Sequence, residues 1–369
     1  MTTLNVRRVT GDLQADVAAL LGPLAAGTEL GGRSVLLKPN LVEPLPHTSG
    51  QTTNPALIEA LVVWCRAMGA VEIAIGEGPS YFQPRSDLRR CFARTGMIEV
   101  ARRQGIRWIL FDDEPFRRFR NHSPRTPDRF GLSEHAFTWD RIINVPVPKP
   151  HYLTTLSCAM KNLKGFIRRE DKPSFHYGGT EGIYGSVTEL NCMIRPALNV
   201  VDCTAPTHVN QGFLLAGTDI VAIDALMASW MGLNPDRIET VQLGHRAGLG
   251  EKDLSRIRIV GDDLRGISMN FEQPAAWLAR AFPGLSLQAR QACSGCLIPL
   301  MGALRDLEAA GWGCGRPLTV ALGTPVPGDR QPDAAIGKCA RREGAAFLPG
   351  CPPTRAEVYA FVSEQLLRA

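Results

Sequence analysis

Ser34-Val35-Leu36-Leu37-Lys38-Pro39-Asn40 is the stretch that decides how the chain is read. Residues 34–37 make a short apolar strand that runs into the turn-forming Lys38-Pro39-Asn40. Residues 54–68 then carry helical spacing, with Pro55 at a first-turn position and Gly69 as a stop. Residues 71–75 form a second strand, which ends in Gly76-Glu77-Gly78-Pro79. Working outward, the pattern predicts a helix over 86–104, strands at 107–111 and 141–145, and a polar, Pro-rich stretch over 112–127. Strands alternating with helices predict an α/β fold with a mostly parallel sheet and flanking helices.

The rest of the chain extends this pattern. A helix is expected over 153–163, a Gly- and Tyr-containing stretch over 165–185, a strand over 199–203 and a helix over 219–231, closed by Gly232. Another strand is expected at 256–260. Residues 274–284 read as a boundary, giving an α/β substrate-binding region over 1–275 and a small C-terminal α/β unit over 285–369. That unit should hold helices at 299–310 and 354–367 and strands at 318–322 and 346–348.

Composition narrows the function classes. The 369 residues are 44% hydrophobic and 21% charged, as in soluble globular proteins, and a core of that size needs no disulfides. The net charge of +5 suits anionic ligands but falls short of a nucleic-acid footprint. The opening Met-Thr-Thr-Leu-Asn-Val-Arg-Arg has no apolar stretch after a basic region, and no run of about 18 apolar residues occurs. A cytoplasmic protein without a membrane span is therefore expected. Its ten cysteines then read as thiols or metal ligands, and five of them fall after residue 290.

In Cys293-Ser-Gly-Cys296 the two-residue gap lets both thiolates reach one metal centre. Gly337-Lys-Cys339 and Gly350-Cys351-Pro-Pro353 supply two more candidates, each beside a glycine that allows close backbone approach. Four cysteines in this setting point to a 4Fe–4S cluster. Structural zinc, or buried cysteines acting as small hydrophobes, are the other readings. Cys314, in Gly-Cys-Gly, is an alternative ligand, a catalytic thiol or a turn residue. The loops Cys293-Ser-Gly-Cys296, Gly337-Lys-Cys339-Ala with Gly344, and Leu348-Pro-Gly-Cys351-Pro-Pro353 resemble those of nickel–iron hydrogenase small subunits and a related quinone-oxidoreductase subunit. That resemblance implies a 4Fe–4S cluster on the four cysteines, over roughly the last fifth of the chain and with shorter spacing than in those families.

The first region gathers Lys38, Asn40, Glu77, Lys149, His151, Lys161, Asn162, Lys164, His176 and Asp219 at strand ends or on loops. Lysines there suit a carboxylate or phosphate, and histidines can move protons. Singly, each is equally a turn or capping residue. As a set, Lys38-Pro-Asn40, Gly76-Glu-Gly78, Lys149-Pro-His151, Lys161-Asn-Leu-Lys-Gly165 and Gly217-Thr-Asp219-Ile-Val-Ala-Ile-Asp224 resemble the domain of unknown function 362 family. Members often carry C-terminal iron–sulfur cysteines, and the name implies no activity.

The combined reading is a cytoplasmic iron–sulfur reductase of a small anionic organic substrate. Its catalytic candidates are His151, His176 and Lys161. Lys38, Asn40, Glu77, Lys149, Asn162, Lys164 and Asp219 would bind substrate, and a ferredoxin-like or flavin donor would supply electrons. The rivals are an iron–sulfur lyase with an open iron, an electron-transfer or maturation protein without its own substrate, and a zinc-binding structural protein. No G-x-G-x-x-G or phosphate loop supports nucleotide binding.

Overall fold

Val35 and Leu37 belong to one apolar core and Leu36 to another, and all three are fully buried. Alternating residues of a strand point to opposite faces, so a strand apolar on both faces lies in the middle layer of a three-layer sandwich. Ile73, Ile75, Ile143 and Val200 join the first core, while Ala74, Ile142 and Val201 join the second. Burying each such Ile or Leu side chain contributes about 1.5–3 kcal/mol.

The computed structural model describes residues 2–82, 84–176, 178–206, 212–264, 267, 269, 271–289, 292–313 and 317–367. The chain divides into two units, Met1–Ser80 with Arg85–Phe271, and Tyr81–Pro84 with Glu272–Ala369. In chain order the strands of the first unit begin β1 (Thr2–Arg8), β2 (Ser34–Lys38), β3 (Glu72–Glu77), β4 (Arg107–Leu110), β5 (Phe116–Arg120) and β6 (Arg129–Ser133). They continue β7 (Arg141–Asn144), β8 (Lys149–His151), β9 (Thr155–Ser157), β10 (Leu198–Cys203), β11 (Phe213–Gly217) and β12 (Ile257–Gly261). Eight form one sheet, ordered β12-β1-β11-β10-β7-β2-β3-β4. Neighbours run parallel except on either side of β11, so the fold is α/β with a mostly parallel sheet and flanking helices. The carboxyl ends of β2, β3 and β7 consequently open on the same edge.

Helix Pro55–Ala67 starts as its sequence dictates. Asn54 accepts the Ala56 N–H at 3.0 Å and Pro55 takes the first helical position. Asp202, at the end of β10, accepts the Asn54 N–H at 2.7 Å and so fixes that helix to the sheet.

Several local expectations are corrected. Residues 86–104 form two helices, Leu88–Arg94 and Met97–Gln104, because Gly96 adopts a φ of 81° between them. The Pro-rich stretch contains the β5–β6 hairpin, and helix Gly182–Met193 begins inside the stretch expected to be irregular. Residues 153–163 hold no single helix. They supply β9 of the β8–β9 hairpin, helix Ala159–Asn162 and the start of a 3-10 turn, Leu163–Phe166. Leu156, Met160 and Leu163 mimic helical spacing because each is buried, while Thr155 sits at a φ of 62° that no helix permits.

The second unit has four parallel strands in sequential order, β13 (Leu285–Gln288), β14 (Leu318–Leu322), β15 (Ala334–Ile336) and β16 (Ala346–Leu348). Residues 274–284, read as a boundary, contain helix Pro274–Ala281. The helix expected from residue 299 spans Ser294–Ala309 with Pro299 inside it. Pro299 has no N–H to give the Gly295 carbonyl. Leu297, Leu300, Leu304 and Leu307 nonetheless bury one stripe at helical spacing, which offsets that loss. Among the described residues no helix is long and apolar enough to cross a membrane.

Candidate functional site

Lys38 ends β2 with a completely buried side chain. Its Nζ lies 2.9 Å from both carboxylate oxygens of Glu77, at the end of neighbouring β3, and 3.2 Å from the Pro39 carbonyl. Burial holds the Lys38 pKa below its ordinary value, while Glu77 opposes the shift. Gly165 packs on this pair. A Cβ there would overlap the Glu77 carboxylate and come within 2.7 Å of Lys38 Nζ, so the Lys-Gly of 164–165 meets a steric need. Lys172 covers the same turn, donating to the Gly78 and Pro79 carbonyls at 2.8 and 2.7 Å.

A second lysine lies beyond β7. Lys149 donates to the Asn40 side-chain oxygen and, at 2.7 Å, to the Gln51 carbonyl. Buried amides fill the space between the strand ends. Asn162 donates to Asn144 Oδ1 at 2.8 Å, and Asn144 donates to Asn199 Oδ1 at 2.9 Å. Asn162 Oδ1 is buried and has no partner among the described residues. Asp224 accepts the Ala159 and Met160 N–H groups at 2.7 and 3.2 Å, fixing the short helix that presents Lys161 and Asn162.

Hydrogen-bond partners assign the histidine tautomers. His151 Nδ1 accepts the Leu153 and Thr154 N–H groups, each at 3.1 Å, so the neutral ring carries its proton on Nε2. His176 Nδ1 faces the Lys172 carbonyl at 3.0 Å and must donate. Its Nε2 is then the acceptor for Lys164 Nζ at 3.2 Å. Burial holds both rings well below the usual histidine pKa. Lys161 and Lys164 add to this, as do Lys149 and His176 for His151.

Burial likewise lowers Lys149 to about 7, with Lys161 lowering it further and Glu43, Cys158 and Glu77 opposing. Lys161 falls to about 8 through burial, although its side chain keeps partial solvent access. Among the described residues, Lys161 Nζ makes no hydrogen bond or ion pair. Lys149, His151, Lys161, Lys164 and His176 are thus mutually coupled basic groups in a desolvated place. Such a place favours an entering anion, which relieves repulsion and desolvation together.

Nine of the ten candidates in this unit lie at this edge. Asp219 is the exception. It follows β11, the strand of opposite direction, and so stands at the other edge of the sheet. There it caps helix Ile220–Trp230 through the Ala222 N–H at 2.8 Å and accepts from Glu251 N and Thr2 Oγ1, each at 2.9 Å. Asn144 and Lys172 were absent from the sequence-derived site, and Asp224 stood in it only as the last residue of the Gly217–Asp224 motif. Asn144 had a visible signal, a polar residue closing the apolar strand Arg141-Ile-Ile-Asn144. Lys172 had none, since its role arises from the fold of the Gly78–Pro79 turn.

In the second unit the cysteines follow ends of parallel strands, where ligands collect in such sheets. Cys293 follows β13 and precedes helix Ser294–Ala309, whose first turn holds Cys296. Cys339 lies in the turn Lys338–Ala340 after β15, and Cys351 follows β16. Cys296 is buried, Cys293 half-buried, and Cys339 and Cys351 exposed. Burial raises the Cys296 pKa most, and Cys293, Cys339 and Cys351 raise it further. Gly337, at a φ of 95°, leaves room for the Cys296 sulfur that a Cβ would take. The Tyr81 hydroxyl lies against Cys293. Among the described residues no three His, Cys, Asp or Glu side chains are gathered closely enough to hold a single metal ion. What the unit contributes is a donor set of four thiols with a glycine cradle, which fits a thiolate-bound cluster. Cys314 lies outside the described residues.

The thylakoid-associated protein sll1697 of Synechocystis is 28% identical over 258 residues, covering 65% of this chain and 76% of that protein. The lactate racemase apoprotein from Thermoanaerobacterium thermosaccharolyticum is a structural neighbour at 14% identity and a TM-score of 0.37. That match covers 55% of this chain and half of the racemase. The family model described as Domain of unknown function (DUF362) matches residues 35–229, from the strand ahead of Lys38 to the helix that Asp219 caps. Since this is just over half of the chain, the protein belongs to that family.

Proposed function

We propose that this protein is an iron–sulfur enzyme that reduces a small anionic organic substrate. The observation that carries the reading is the gathering near the ends of β2, β3 and β7 of buried Lys149 with half-buried His151, Lys161, Lys164 and His176, whose basic groups lower one another's proton affinity. A protein that only relays electrons has no use for such a costly arrangement. Lys149 and Lys161 would bind the anion. His151 would donate from Nε2, and Lys164 with His176 would pass a proton to or from the bound molecule. Cys293, Cys296, Cys339 and Cys351, on loops that resemble those of hydrogenase small subunits, would hold a 4Fe–4S cluster. When bound, that group supplies single electrons received from a ferredoxin-like or flavin donor.

Oxalate, a small dianion with no aldehyde or ketone group, tests the binding half of this proposal. An amine with a lowered pKa is cationic only below that pKa, and a bound anion raises it again. Affinity should therefore fall as pH rises through the range of about 7 to about 8 set by Lys149 and Lys161. Saturating oxalate is expected to raise Tm by on the order of 5 °C near pH 6.5 and by far less near pH 9. Lys149→Met should remove most of the gain. No shift at either pH, or an equal shift at both, contradicts the proposal.

A further inference from the structure

Five lysines approach the ends of β2, β3 and β7, and four of them are engaged. Lys38 is tied to Glu77, Lys149 to Asn40 and Gln51, Lys164 to His176, and Lys172 to two carbonyls. Lys161 differs. Asp224 anchors the backbone of its short helix, while its amine has no partner among the described residues and keeps partial solvent access. A structural lysine would be expected to have found a carboxylate or carbonyl, as its neighbours have.

We infer that Lys161 is a nucleophile, forming an imine with the carbonyl group of a small oxo acid held in this cluster. The inference rests on the anion-binding reading and narrows the substrate class to carbonyl acids. The carboxylate would lie among Lys149, Lys164 and His151, bringing the carbonyl carbon to Lys161 Nζ. The amine lone pair adds to that carbon, and the carbonyl oxygen takes up a proton to give a carbinolamine. Loss of the hydroxyl as water and of the remaining nitrogen proton yields the C=N bond, so one water is released and no electrons are exchanged. Lys164 and His176, both electrostatically coupled to Lys161 or its neighbours, can return and accept these protons. Burial lowers Lys161 to about 8, so near neutral pH a larger share of its amine is unprotonated and nucleophilic than an exposed lysine keeps.

The test is reductive trapping on the full-length protein, purified anaerobically. Glyoxylate, the smallest oxo acid, is added with cyanoborohydride at neutral pH, and modified peptides are mapped by mass spectrometry. Lys161 is expected to label at least about tenfold faster than exposed lysines, the factor that one unit of lowered pKa confers. Oxalate should block the labelling, and Lys161→Arg should abolish it. Labelling spread over surface lysines, or unchanged in Lys161→Arg, overturns the inference, and oxalate protection of the unaltered protein decides the matter should that variant misfold. The oxalate melting shift separates the two ideas. A shift without Lys161 labelling ends the imine proposal and keeps the anion site, whereas neither result ends both.

Discussion

Glu77→Gln is expected to destabilise the first unit by about 3–5 kcal/mol, because removing one partner of a buried pair strands the other. Lys38 is fully buried and Glu77 is 4% exposed, so water cannot take over from the missing carboxylate. The stranded lysine can stay charged at the cost of desolvation, or give up its proton. From an ordinary pKa of 10.5, surrendering that proton at pH 7 costs about 5 kcal/mol, which sets a ceiling on the loss. Linkage adds a signature. Where the folded variant has given up the Lys38 proton, the unfolded variant still binds it below the ordinary lysine pKa of 10.5, so the variant should gain stability as pH rises toward that value. Replacing both partners, Lys38→Met with Glu77→Leu, should recover most of the loss, since an apolar pair leaves no uncompensated charge. Denaturant unfolding followed by circular dichroism measures all three. A single-variant loss below about 1 kcal/mol would contradict the description of this pair.

The second large effect concerns the cysteines. Single replacement of Cys293, Cys296, Cys339 or Cys351 by Ala is expected to remove or degrade the bound iron. Cys65→Ala, Cys91→Ala and Cys158→Ala should leave iron content unchanged. Cys293, Cys339 and Cys351 follow strand ends of one small parallel sheet, Cys296 lies in the first turn of the helix after Cys293, and the other three act on the pKa of Cys296. Cys65, Cys91 and Cys158 are buried in the first unit, where they serve as small apolar side chains. Iron content per chain, measured anaerobically for each variant, decides this. Iron kept in Cys339→Ala but lost in Cys314→Ala would move a ligand position to Cys314.

The parallel sheet was legible in the sequence because its strands are apolar on both faces and end in punctuating residues, as in Val35–Leu37 before Lys38-Pro39-Asn40. Burial is what the apolar pattern encodes. It misled where buried residues of a hairpin and a short helix imitated one helix, as with Leu156, Met160 and Leu163. The turn at Thr155 and the capping by Asp224, 65 residues after Ala159, are decided by tertiary contacts. The site followed the same logic. Lys38, Glu77, Lys149 and Asn162 stood beside recognisable strand ends or short motifs. Asp219 looked equivalent in sequence but lies at the other edge, because β11 reverses direction and no local pattern announces that reversal. Lys172 became visible only once the Gly78–Pro79 turn was folded against it.

The proposed iron–sulfur enzyme is tested most directly by the metal content of the unaltered protein. Anaerobically purified protein should be brown and contain about four iron and about four acid-labile sulfide per chain, as a 4Fe–4S cube requires. Stoichiometric zinc with no labile sulfide would contradict it.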